Sequence, residues 1–244
     1  MTNSIATNYQ KIIDRVDYSA KIAGRNPDDV KLIVVTKGQP VEKMIEAYKA
    51  GARLFGENYP EETEKKLEEL RKLDGIEIHM IGHLQSRKAQ IVAGSFDWMH
   101  SIDRLSIVEK LDRELQNSGR TMPVLLEMNV SGEESKMGFS AWNQNHWNSL
   151  IPIIDQIDSI KTLSIRGLMT MPPLSASAEQ TRSYFKVLRE LRDYLAGKFK
   201  NIKWDELSMG TSGDFEAAIM EGATFIRIGT AIMGPRPKKQ MEIK

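Results

Sequence analysis

Lys31-Leu32-Ile33-Val34-Val35-Thr36-Lys37-Gly38-Gln39-Pro40 is the stretch from which the rest of the chain is read. Leu32 to Thr36 are apolar or β-branched with no charge among them. That is the pattern of a short strand buried on both faces, as strands of parallel sheets are. The run ends on Lys37, and Gly38 and Pro40 break it at once. A lysine is thereby held at the carboxyl end of a buried strand, where α/β folds place their ligands. Partial desolvation there lowers the amine pKa and raises the share of the neutral, nucleophilic form. Such an amine is suited to forming a Schiff base with a carbonyl compound. On this segment alone the competing reading is a strand-end lysine reaching out to solvent.

The same rhythm extends in both directions. Upstream, Ile5, Ile12, Ile13, Val16, Ile22 and Ala23 share mostly one helical face, and Gly24 and Pro27 end a helix over 4–24. Downstream, a helix over 41–50 stops at Gly51, and a strand over 53–56 leads into Glu57 and Asn58. Pro60 opens a helix to about Leu73. Strands at 76–81 and 96–102 flank a helix at 86–92, and Asp103 is placed to cap a helix over 104–116. A fifth strand, 123–130, precedes a polar loop at 131–140 and a helix to Ile157. Strands at 162–169, 206–209 and 224–228 then alternate with helices at 178–199 and 214–221. Eight βα units within about 210 residues predict a closed (β/α)8 TIM barrel with an extra N-terminal helix. A doubly wound sheet is the runner-up, but it leaves long buried edge strands. One domain over 1–244 is expected, its core at about 31–234 and its tail, 235–244, basic.

Composition narrows the function. A formal net charge of +1 over 244 residues argues against binding nucleic acid or a membrane surface. The chain has no cysteine, which removes disulfides, thiolate catalysis and zinc–thiolate sites. No apolar run approaches the roughly 20 residues of a membrane span, and the N-terminus lacks a signal pattern. A cytoplasmic protein is expected.

In a barrel, the residues just after each strand share one mouth. Here they supply one lysine, neutral hydrogen-bonding groups and one arginine. No carboxylate pair stands at neighbouring strand ends, which disfavours glycosidase-type acid/base chemistry. His79 and His83 lack a third ligand between them, which disfavours a metal site. Two turns suit a phosphate. Met209-Gly210-Thr211-Ser212-Gly213 leaves the seventh strand and opens a helix, and Ile228-Gly229-Thr230-Ala231 follows the eighth. Glycines let the backbone approach closely, and hydroxyls and amides gather at helix starts. Arg227 lies between Ile226 and Ile228, so it must face a polar mouth or pair with a partner, a structural salt bridge being the plainer outcome.

In order, VVTKGQP, FGENY, HMIGHLQSRK, SIDR, NVSGEESKMGF, RGLMTMPP, LSMGTSGDFEAAI and FIRIGTAIMG resemble the pyridoxal phosphate homeostasis protein family (YggS/PROSC-type) from Lys31 to Gly234. The resemblance implies a barrel like that of alanine racemase without its second domain, with pyridoxal 5′-phosphate as cofactor, bound covalently on Lys37. It places Asn58 and His79 beside the cofactor. It gives the phosphate to Ser212 with the backbone of Thr211, Gly229 and Thr230, and sets Arg227 near the pyridine nitrogen. Departures are Thr211 where the family has methionine, Gly213 in the variable place, Arg87 for an asparagine and Met233 for a phenylalanine. The family's role is non-catalytic: it holds and delivers the cofactor, with effects on amino-acid and keto-acid pools. Cofactor-dependent apoenzymes are the implied recipients, and the family is commonly monomeric. The alternative is an amino-acid racemase using Lys37. Racemization needs a second base, and Tyr59 and His79 are poor candidates for it.

Overall fold

The computed structural model describes residues 4–173 and 176–236. The ring of strands runs β1 (Lys31–Val35), β2 (Leu54–Glu57), β3 (Glu77–Met80), β4 (Trp98–Ile102) and β5 (Met122–Asn129). After the two-residue β6 (Phe139–Ser140) come β7 (Leu163–Met169), β8 (Glu206–Ser208) and β9 (Phe225–Ile228). Every pairing is parallel. β9 pairs with β1, with Ile33 opposite Arg227, and β4 pairs with β5, so the sheet closes into a (β/α)8 barrel. β6 lies outside the ring, beside Met128 and Asn129 of β5.

The N-terminal helix Ile5–Ile22 is capped by Ser4, whose side chain accepts from the Thr7 amide. It buries Ile5, Ile12, Val16 and Ala20 against the helices Phe215–Met220 and Thr230–Met233; of the stripe read from the sequence, Ile22 is instead 55% exposed. Most of the core lies between the strands and the surrounding helices, where Phe55, Met80, Met99 and Phe185 are fully buried. Each contributes about 1.5–3 kcal/mol relative to exposure. Inside the barrel the apolar cluster is small: Ile33, Leu125, Met169 and Phe225. Above and beside it are buried polar side chains, namely His79, His100, Glu127, Ser208 and Arg227.

Three local expectations are corrected. The helix expected from Pro60 to Leu73 is two short ones, Pro60–Glu64 and Leu67–Leu70. It breaks where Lys66 turns inward to pair with the buried Glu57 at 3.0 Å. Asp103 does not cap the next helix, which starts at Leu105 after Arg104. Its carboxylate is taken by Arg104 and His83, each at 2.6 Å, and the Arg104 guanidinium is a stronger partner than a backbone amide. The stretch leading to Ile157 begins as a 3₁₀ helix, Gln144–Leu150, before the α-helix Ile151–Asp158. The basic tail lies outside the described residues from position 237 onward. Among the described residues no helix is long and apolar enough to cross a membrane.

Candidate functional site

The carboxyl ends of β1, β2, β8 and β9 converge on a cavity of about 470 Å³, a size usual for small-molecule sites. Lys37, Asn58, Thr211, Ser212, Arg227, Gly229 and Thr230 all line it. Of the cofactor-binding residues that the resemblance implies, only His79 is elsewhere.

Lys37 lies just past the end of β1 and is half-buried. Its pKa is lowered, first by burial and then by the cations Arg236 and Arg227, with Glu57 pulling the other way. A larger neutral fraction of the amine follows. Asn58, the first residue after β2, leaves Oδ1 buried without a hydrogen-bond partner. It can sit there because Gly82 has no side chain: a Cβ at Gly82 would lie 2.9 Å from the Asn58 Cα.

The turn after β8 is held from within. Asp214 Oδ1 accepts from the Thr211 amide at 2.5 Å and from the Thr211 hydroxyl at 3.0 Å. Both donors of Thr211 are therefore committed inside the turn, while the Ser212 hydroxyl in the cavity lining has no partner among the described residues. Gly210 has φ +92°, and a Cβ there would lie 2.6 Å from Ala218 Cβ, so only glycine lets the turn pass against the following helix. Across the cavity, Gly229 stands at the start of the helix Thr230–Met233.

Arg227 is buried, yet it forms no salt bridge among the described residues. Its Nη1 donates to Ser208 Oγ at 2.5 Å, and its Nη2 donates to the Thr170 carbonyl at 2.9 Å and contacts Met171 Sδ at 3.0 Å. Burial pushes its pKa down to about 10, opposed by the charges of Glu127 and Asp214. The guanidinium stays charged at neutral pH, held by neutral acceptors rather than by the salt bridge expected.

His79 does not reach the cavity. Side chains alternate along a strand, and His79 stands in register with Gly56 and Trp98, deep inside the ring. Its ring stacks on Trp98 at 5.8 Å. Ile81, two residues on, lines the cavity in its place. Gln39 was missed. It is 4% exposed, donates to the carbonyls of Gly234 and Pro235, and leaves Oε1 buried and unpartnered. Only its position in the turn after Lys37 hinted at the site. Tyr59, 45% exposed, lines an adjoining groove instead.

The cavity thus presents a nucleophilic amine, a buried cation, free hydroxyls and two orphaned amide oxygens. Among the described residues, its lining contains no carboxylate, histidine or tyrosine. A family profile described as alanine racemase, N-terminal domain, matches residues 5–237. A pyridoxal phosphate homeostasis protein of Vibrio alginolyticus is 38% identical over 237 residues, 96% of this chain and 98% of its own. The chain belongs to the pyridoxal phosphate homeostasis protein family. PipY of Synechococcus elongatus PCC7942, a structure with PLP bound, is similar to this homeostasis-family chain at 34% identity and a TM-score of 0.78. That match covers 90% of this chain and 100% of PipY. Alanine racemase of Clostridium difficile 630 shares 15% identity and a TM-score of 0.65 over 96% of this chain and 58% of its own. At that identity the likeness is of fold alone.

Proposed function

We propose that this chain binds pyridoxal 5′-phosphate in the cavity at the barrel mouth, through a covalent link to Lys37, and holds and delivers it without turnover. The cavity's residues fit the group. Lys37 supplies an amine of lowered pKa for the aldehyde. Ser212, with the backbone at Gly229 and Thr230, supplies donors for the phosphate. Arg227 supplies a fixed cation for the ring nitrogen, and Asn58 an unpartnered buried oxygen beside the ring. When bound, the cofactor supplies an electron-withdrawing ring. A cation at its nitrogen disfavours protonation there and weakens the ring as an electron sink.

The observation that carries the reading is the pairing of Lys37 with a lining that, among the described residues, contains no second base. Racemization needs two bases on opposite faces of one carbon, so this lining favours holding over turnover. We place the role in the cytoplasm, on a monomer whose single domain is the barrel, with cofactor-dependent apoenzymes as recipients. The test is a titration of the purified protein with pyridoxal phosphate, followed by visible absorbance and by transfer to an apoenzyme. Saturable colour with restored apoenzyme activity is expected, together with no turnover of amino acids. Rapid racemization of any amino acid would replace the carrier reading with the enzyme reading.

A further inference from the structure

A line of buried polar groups crosses the barrel from the cavity to its opposite end. Arg227 on β9 donates to Ser208 Oγ on β8 at 2.5 Å. Ser208 Oγ lies 2.9 Å from His100 Nδ1 on β4, and His100 Nε2 lies 2.9 Å from His79 Nδ1 on β3. His79 Nε2 is 3.2 Å from Glu77 Oε2 at the start of the same strand. Ser208, His100 and His79 are fully buried, whereas the Glu77 side chain is 48% exposed. Nothing in the proposed function uses these residues, and a buried polar line of this length is costly unless each member is satisfied.

Proton accounting from the Arg227 end gives the line one direction. A guanidinium only donates, so Ser208 Oγ accepts from Arg227. The hydroxyl hydrogen of Ser208 then has one acceptor in reach among the described residues, His100 Nδ1. His100, neutral because burial and the nearby cations lower its pKa, must carry its proton on Nε2 and donate to His79 Nδ1. His79, also neutral by burial, carries its proton on Nε2. The far end is compatible with this direction. Glu77 is held as a carboxylate chiefly by its contact with His79, and a carboxylate only accepts. The last contact is the loosest, since His79 Nε2 makes no well-aligned bond there.

We propose that this one-way chain, Arg227 to Ser208 to His100 to His79, with the Glu77 carboxylate beyond it, holds Arg227 in place at the cavity. Ser208, His100 and His79 are then positioning residues that never touch the ligand. The direction of the chain and the fixing of Arg227 are properties of the unliganded protein. Only their effect on cofactor affinity rests on the proposed pyridoxal phosphate reading.

The test begins with nitrogen-resolved NMR of the unliganded wild type, which needs no variant to fold. Both histidines are expected neutral near pH 7, with the proton on Nε2 and Nδ1 bare. A proton on Nδ1 of His100 overturns the direction. The Arg227 Nη signals are expected to be separate in the wild type. They should average together in Ser208→Ala and His100→Leu, and separate again in His100→Gln, whose amide offers one acceptor and one donor. Unchanged Arg227 signals in Ser208→Ala, or equal loss in the Leu and Gln variants, overturn the positioning role. In the liganded protein, Ser208→Ala is expected to weaken pyridoxal phosphate binding about tenfold, as losing a bond to a charged group does. If the wild type fails to bind pyridoxal phosphate, the functional reading fails while the tautomer and Arg227 signals still decide the chain.

Discussion

At the scale of single residues, position relative to a strand end governs what each side chain can do. Lys37, Ser212 and Arg227 were legible because a buried run, a glycine turn and an arginine inside an apolar segment each mark a strand end locally. His79 was not, because two residues along one strand face separate the barrel interior from the mouth, and where a strand ends is set by its partner strands. Gln39 was not either, because its burial comes from the distant carbonyls of Gly234 and Pro235. Removing the amine in Lys37→Ala is expected to abolish covalent capture of pyridoxal phosphate and leave weak binding through Ser212 and Thr230, measurable by equilibrium dialysis. Undiminished affinity in that variant would remove Lys37 from the site.

Glu127 gives a second test at the same scale. It is 8% exposed, and burial, with help from Asp103, pushes its pKa up from 4.5 to about 7. The folded state therefore binds more protons than the unfolded state between those values. Its contribution is fully present below about pH 4.5 and is lost as pH rises through about 7. Glu127→Gln, which stays neutral, is expected to gain about 3 kcal/mol relative to the wild type between pH 4.5 and pH 8. Denaturant unfolding at the two pH values checks this, and parallel pH profiles for the two proteins would contradict it.

Among the elements, the repeating βα pattern was plain in the sequence, and all eight strands of the ring stand where their apolar runs predicted. Irregularities were not plain, because each answers to a partner far along the chain. The pairing of β5 with β7 shifts register between Val124 and Leu125, with Ile165 and Gly167 opposite them. At that bulge Gly167 has φ +154°, and a Cβ would fall 1.8 Å from the Glu206 carbonyl oxygen of β8. Gly167→Ala is expected to cost about 3 kcal/mol or more, from strain and overpacking together. A melting temperature within a degree or two of the wild type would show that the strands can part without penalty. The split of the 60–73 helix has the same origin. Lys66 answers to Glu57, and no local propensity records that pair.

Over the whole molecule, a barrel interior that is polar on one side has a cost in acid. His79 and His100 are buried neutral, with pKa values below 6.5. Folding stability from this source is present above about pH 6.5 and lost as pH falls below it, because the unfolded state takes up the protons first. The His100→Gln variant is expected to lose less stability than the wild type between pH 7 and pH 5 by denaturant unfolding. An identical loss would mean that the histidines are already solvated in the native barrel. The same architecture leaves the mouth without a covering domain within the described residues, which fits the proposed release of a held cofactor.

Borohydride reduction of the protein after addition of pyridoxal phosphate, followed by peptide mapping of the adduct, bears most directly on the function. Loss of visible colour with a single label on Lys37 is the expected result. A protein that pyridoxal phosphate cannot colour, or a label that maps to another lysine with Lys37 unmodified, would contradict it.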